Sequence, residues 1–321
     1  MKRALCINSM EEISALIRGE AETIDSCLVD REICEDPNNK FLQIIPYVTF
    51  FTAMPAEGKL MFVQHKRAAK GNEDRLLSKT SIGFGGHIDQ EAEIKFQSTH
   101  TAEDTTIHYV MTKQDLVDTC LAAAKREVTE ELGGDVLAAI GADLDFNESA
   151  FFTGDQRQPV NQVHLGLALP VKLSGEQFAK LLEIAKINPE EIEVIDKMTA
   201  NIRHIVEEMD VSATNGKIMN QLVQQHNVED WSVRVFDFIV RKEIFIILKD
   251  INYDDLYRLA VAKDQARQAE LAAQQQMQQS SEVISADAAA VEQALVPTET
   301  AAPTVAEGDA VDASPVEAVA Q

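Results

Sequence analysis

Apolar positions recur along the chain at two periods, and the switches between them predict the order of elements. Residues 10–18 form a short amphipathic segment, and Asp36-Pro37-Asn38-Asn39 reads as a turn. Residues 43–51 are β-branched and aromatic and predict a strand. Glu57-Gly58 turns the chain, and residues 59–65 return as the second arm of a hairpin. Gly83-Phe84-Gly85-Gly86 is a break suited to glycine. Residues 116–132 carry apolar groups at helical spacing and stop at Gly133-Gly134, as a C-cap does. Residues 160–173 alternate as a strand. From Gly175 the pattern turns helical, over 176–187, 189–209 and 217–226, while 231–248 is apolar without a period that settles its type.

The end of the chain differs. No aromatic residue follows Tyr257, and residues 261–321 carry two basic against ten acidic side chains. Residues 254–279 lack Gly and Pro and predict a helix. Beyond Ser280 there are few large apolar groups to offset the entropy of ordering, so 280–321 is expected to be a disordered acidic tail.

Charge narrows the function classes. The 321 residues hold 29 Lys and Arg against 53 Asp and Glu, a net charge of −24. Such a surface repels phosphate backbones and anionic lipids, which argues against general nucleic-acid or membrane binding. A small phosphorylated substrate remains compatible, because a cation held by clustered carboxylates reverses the local sign. Cys6, Cys27, Cys34 and Cys120 show no metal-type spacing and read as reduced thiols. With neither a signal peptide nor a stretch of about 20 apolar residues, a cytoplasmic protein is expected.

One segment stands out for its chemistry: Arg126-Glu127-Val128-Thr129-Glu130-Glu131-Leu132-Gly133. At about 100° per residue, Glu127, Glu130 and Glu131 fall at roughly 0°, 300° and 40° on one helix face. Leu121, Ala124, Val128 and Leu132 form the neighbouring stripe, suited to packing on a sheet. Three adjacent carboxylates repel one another unless a cation joins them, so the face is either solvated or a site for a hard cation with oxygen ligands.

The segment reproduces without a gap the REUxEExG core of the Nudix box, in which U is aliphatic, and the chain resembles the Nudix hydrolase superfamily. Gln43-Ile44-Ile45-Pro46-Tyr47, Glu73-Asp74-Arg75-Leu76, the 81–88 segment, Val163-His164-Leu165-Gly166 and Glu229-Asp230-Trp231-Ser232 resemble, in order, its predicted phosphoesterase branch. Three positions depart from the box. Gly86 lies forty residues before Arg126 instead of fourteen, so an insertion of about 90–111 is expected to loop out. Asp118 stands at the midpoint glutamate, and Gly134 at the closing aliphatic position.

The resemblance implies an α/β fold: a Nudix-like α/β/α sandwich with a mixed sheet, an additional helical C-terminal half and the acidic tail. Residues 1–35 would be an N-terminal extension, 36–250 the hydrolase domain and 251–279 a helix. It implies magnesium or manganese on Glu127, Glu130, Glu131 and the Gly86 carbonyl, with Arg126, Glu127 and Glu131 in the catalytic set. Arg126 would hold a carboxylate of its own helix. The general base is left among Glu131, Glu148 and Asp155. Arg75 and His87 are candidates to meet substrate phosphates. His164 in an apolar strand, and the single tryptophan Trp231, read as core residues. The implied activity is metal-dependent hydrolysis of a nucleoside diphosphate linked to another group. The alternative is a Nudix-fold module that binds its ligand without cleaving it. An isomerase of the same fold would need a reactive cysteine beside Gly86, and the sequence has none there. The partner expected is a small phosphorylated substrate, and a homodimer is left open.

Overall fold

The computed structural model describes residues 2–68, 79–101, 106–190, 192–202 and 227–247, with residues 258, 261–262, 265–274 and 276 beyond them. Arg75, the helix expected over 217–226 and the tail over 280–321 lie outside the described residues. The chain divides into two compact units, Met1–Lys263 and Asp264–Gln321. In the second, residues 265–274 are helical and exposed.

The first unit is an open mixed sheet with helices on both faces. Its strands are β1 (Arg3–Ile7), β2 (Thr23–Asp30), β3 (Leu42–Met54), β4 (Lys59–Arg67), β5 (Thr80–Ser81), β6 (Ser98–Thr101), β7 (Ile107–Thr112), β8 (Ala150–Phe152), β9 (His164–Lys172) and β10 (Ile192–Asn201). The helices are α1 (Met10–Arg18), α2 (Arg31–Cys34), α3 (Lys113–Leu132), α4 (Val136–Ile140), α5 (Pro159–Gln162), α6 (Gly175–Ile184) and α7 (Asp230–Ile247). The main strand order is β10-β4-β3-β1-β2-β7-β6, with β9 pairing β3 and β8. The long β3 organises it: β9 runs parallel along one side from Gln43 to Phe51, and β4 continues antiparallel from Phe51 to Met54.

Alternation along β3 sends its side chains into two cores. Ile44, Val48 and Phe50 join Leu165, Leu167 and Leu169 of β9 beneath α3, whose Leu116, Cys120, Ala124, Val128 and Leu132 complete that layer. Tyr47 and Phe51 face the other way, with Leu60 and Phe62 of β4 and with Val235, Phe236 and Ile239 of α7. The 231–248 stretch, whose type the sequence left open, is therefore the helix that closes the second face. Helix α3 starts at a capping box, in which the Asp115 N–H donates to Thr112 Oγ1 (3.2 Å) and the Thr112 N–H to Asp115 Oδ2 (2.9 Å). It ends at Gly133, whose φ of 73° lies in the region that favours glycine.

Two expectations are corrected. Residues 192–201, read as part of a helix over 189–209, form β10 and pair with β4 from Ile192 and Arg67 to Asn201 and Lys59. Met198, Ala200 and Ile202 are buried while Thr199 and Asn201 are exposed, a period of two that favours a strand once a partner edge is available. The insertion does not simply loop out. Its β7 pairs with β2 from Thr23 and Thr112 to Leu28 and Ile107, and β6 extends the same edge. The first 35 residues and the insertion thus build one half of the sheet together. Among the described residues no helix is long and apolar enough to cross a membrane.

Candidate functional site

The turn 83–86 and helix α3 meet beside β3. Phe84 anchors the turn: its N–H donates to the Val48 carbonyl and its own carbonyl accepts from the Val48 N–H, both at 2.8 Å. Its ring is buried between Phe50 and His65, at centroid distances of 5.8 and 4.7 Å. Gly86 then passes so close to α3 that a Cβ on it would stand 2.6 Å from Glu127 Oε1. The chain between Gly86 and Arg126 passes through β6, β7 and the first part of α3, and the two ends of the interrupted motif are in contact.

Arg126 stands at the centre of a ring of acids. Its Nε donates to Glu93 (2.8 Å), and its Nη1 to Glu127 (2.8 Å) and Glu130 (3.1 Å). Its Nη2 donates to the His87 carbonyl (2.8 Å) and pairs with Asp89 at 3.2 Å. Every nitrogen of the guanidinium fork is used, which a lysine could not reproduce. Burial opposes the charge on Arg126, but Glu127, Glu93 and Asp89 overcome it and hold the guanidinium above its usual value. Glu127 goes the other way: burial outweighs Arg126, with Glu130 and Asp89 adding repulsion, and its carboxyl is pushed up to about 7. The two partners differ because one cation is shared among four acids. Arg126 gains from all of them, and Glu127 receives only part of one charge.

The three box acids sit in graded surroundings. The Glu127 side chain is 13% exposed, that of Glu130 50%, and Glu131 is buried. The donors fit magnesium or manganese in kind, being hard oxygens with a backbone held bare of Cβ beside Glu127. In arrangement Glu127 and Glu130 close on Arg126, and among the described residues no three His, Cys, Asp or Glu side chains stand as a group able to hold a metal ion. The expected ligand set is therefore present in its residues without being assembled around one point.

His87 faces His164, with their Nε2 atoms 3.3 Å apart. Burial first, then Arg31, His164, Lys2 and Arg126, pushes His87 down to about 2, so its ring is neutral. His164 lies at the edge of Trp231, whose indole N–H donates to Asn161 Oδ1 (3.0 Å). Of the loop acids, Asp155 is held at about 2, first by its hydrogen bond with Arg157, and Glu148 bonds Lys242. Both loop acids are thus held by basic side chains. Cys120 is buried and its thiol is pushed up to about 12, consistent with an inert core residue.

Sequence reasoning missed three groups. Asp89 and Glu93, two of the four acids on Arg126, lie at or inside the border of the segment read as an insertion; the local signal was their spacing of four residues just past the glycine turn. The third is a buried network around Glu229. Its carboxylate accepts from the Tyr47 hydroxyl (2.6 Å) and the Ser81 hydroxyl (2.7 Å) and pairs with Arg67 (3.5 Å). Burial would raise Glu229, but Arg67, Tyr47 and Ser81 together hold it below the ordinary carboxylate value. Ser232 accepts from the Ile82 N–H (2.9 Å), so the segment that resembled a family motif fastens α7 to the strand entering the glycine turn.

No family model matches the sequence, and no curated protein matches it. Among solved structures the chain has remote similarity to several Nudix and MutT folds. Tm1382 is 15% identical over 73% of this chain and 96% of that one, with a TM-score of 0.33. A MutT/Nudix family protein from Enterococcus faecalis is 10% identical over 69% and 81%, with a TM-score of 0.30. One from Listeria innocua is 16% identical over 51% and 81%, with a TM-score of 0.27. Likeness at this level carries no argument about family or activity, which have to be read from the residues themselves.

Proposed function

We propose that the chain is a Nudix-type hydrolase of a small phosphorylated compound, a nucleoside diphosphate linked to another group. The observation that carries this reading is the contact between Gly86 and Glu127 around Arg126, which reunites the two ends of the box across forty residues. Glu127, Glu130, Glu131 and the Gly86 carbonyl would hold magnesium or manganese. A divalent ion bound there would neutralise phosphate charge and make a water nucleophilic near neutral pH. Arg126 positions Glu127 and Glu130 and ties them to the turn. The proton of the attacking water goes to a carboxylate of the set Glu131, Glu148 and Asp155, of which Glu148 pairs with Lys242 and Asp155 with Arg157. His87 contributes a neutral hydrogen bond to the substrate.

A second reading is favoured by one observation: Glu127 and Glu130 close on Arg126, and no three described side chains form a metal-binding group. On that reading the site binds a ligand and does not cleave it. Metal titration by calorimetry, followed by phosphate release from a nucleotide panel, separates the two. Metal binding with turnover supports the hydrolase, and ligand binding without either supports the module.

A further inference from the structure

Three of the four cysteines, far apart in sequence, meet on one side of the sheet. Alternation along β1 sends Leu5 and Ile7 into the core beneath α3, and Ala4 and Cys6 to the opposite face. There Cys6 stands in register with Cys27 of β2, directly across an antiparallel pair, a position that brings Cβ atoms to about 4.5–5.5 Å. Helix α2 adds Cys34, which closes a small apolar cluster with Cys6, Cys27, Ala4, Val29 and Phe41. All four cysteines are buried free thiols, and Cys120 lies apart from the cluster, in the core beneath α3.

The three thiols are unequal. Cys6 and Cys34 are hydrogen-bonded to one another, and each also meets a backbone carbonyl at 3.5 Å, Cys6 that of Ala4 and Cys34 that of Arg31. The bond from Cys6 holds the Cys34 thiol below its ordinary value, while the same bond, and then burial, pushes Cys6 up. Cys27 is pushed up to about 11, first by burial. One sulfur is thus prone to ionise, and a neighbouring thiol is placed to resolve what it forms. The cover over them is thin. Helix α2 is a single turn of four residues with no side-chain bond at its N-cap, and Glu32 and Ile33 beside Cys34 are exposed. Local opening of such a turn costs less than unfolding the domain and admits a small oxidant.

We propose that Cys34 and Cys6 are a dithiol that hydrogen peroxide oxidises to a disulfide, tying α2 to β1. The Cys34 thiolate attacks one peroxide oxygen: an S–O bond forms, the O–O bond breaks, and the departing hydroxide takes up the proton that Cys34 released. The Cys6 thiol then attacks the Cys34 sulfur: the S–S bond forms, the S–O bond breaks, and the second hydroxide leaves as water with the Cys6 proton. Two thiols lose two electrons, and one peroxide becomes two waters. The bridge lies close to the candidate site. The Cys34 carbonyl accepts from Gln43 Nε2 (3.3 Å), Gln43 stands in register with His164, and Arg31 of the same turn acts on His87. The thiol chemistry does not depend on the hydrolase reading.

The test treats the folded full chain with a dose of hydrogen peroxide that oxidises free glutathione in parallel, then counts thiols in urea and maps the linked peptides by mass spectrometry. Free thiols should fall from the four of the sequence to two, with Cys6 joined to Cys34. The bridge closes a loop of about 28 residues, so the melting temperature should rise by about 5 °C and return when a thiol reductant is added. Cys6→Ser should leave Cys34 as a sulfenic acid that dimedone traps, and Cys120→Ser should bridge as the wild type does. The wild-type map decides even where a serine variant fails to fold. Four thiols intact after treatment, or Cys120 oxidised before the cluster, would overturn the dithiol. A Cys6–Cys27 bridge would overturn the role of Cys34, and a bridge with no rise in melting temperature would overturn the tie between α2 and β1.

Discussion

Glu127→Gln tests the electrostatics of the acid ring without relying on turnover. The wild-type carboxyl stands at about 7 in the folded chain, against an ordinary value near 4.5 when unfolded. A raised acid value means that the folded state holds its proton longer. Stability from this group is therefore complete below about pH 4.5 and is lost as pH rises through about 7. Ionising such a group above pH 8 costs about 3 kcal/mol, and screening at a partly exposed site makes about 1–3 kcal/mol the working range. Glutamine keeps the shape and never ionises. With chelator present, Glu127→Gln should match the wild type at pH 4.5 and exceed its unfolding free energy by about 1–3 kcal/mol at pH 8. Urea unfolding of both proteins at the two pH values measures the difference, and effects of other titrating groups cancel in it. A variant less stable than the wild type at pH 8, or a difference independent of pH, would refute the reasoning. It would mean that Arg126 satisfies Glu127 in full.

Other outcomes follow from the same geometry. Gly86→Ala places a Cβ where it must push the Glu127 carboxylate aside by about 0.8 Å to reach ordinary contact; the flexible side chain can yield, so stability should change little while turnover falls by about 10²-fold. Steady-state kinetics and a melting curve together read this out. Glu229→Gln should cost about 3 kcal/mol at pH 7, because Arg67 loses its buried partner. Since Glu229 is held below its ordinary value, that difference should shrink as pH falls below the usual carboxylate range, as urea melts at pH 7 and pH 4 will register. Phe84→Ala, which removes the anchor of the glycine turn, should cost about 3–5 kcal/mol in the same assay.

Local features were legible in the sequence, and long-range ones were not. The α3 helix, its glycine end and the β3–β4 hairpin depend on neighbours within a few residues, and the pattern marked them. Strand β10 depends on the free edge of β4, more than a hundred residues earlier, and so its short period-two signal was overridden by its polar, Glu-rich flank. The pairing of β2 with β7 was invisible for the same reason: each half supplies the other's partner. At the candidate site, the box string named Arg126 and its own-helix acids. It could not show that Asp89 and Glu93 complete the ring, nor that one guanidinium would leave Glu127 short of charge.

The central claim is that the acids of α3 carry hydrolysis, and turnover decides it most directly. Phosphate release from a nucleotide panel should be measured at saturating substrate and magnesium for the wild type, Glu131→Gln and Glu176→Gln. Glu176 is exposed on α6, away from the box, and serves as the control. The account predicts a fall of at least about 10²-fold for Glu131→Gln, close to 2.7 kcal/mol of transition-state stabilisation, with the control unchanged. Equal turnover in the wild type and Glu131→Gln, or none in any of the three proteins, would contradict it.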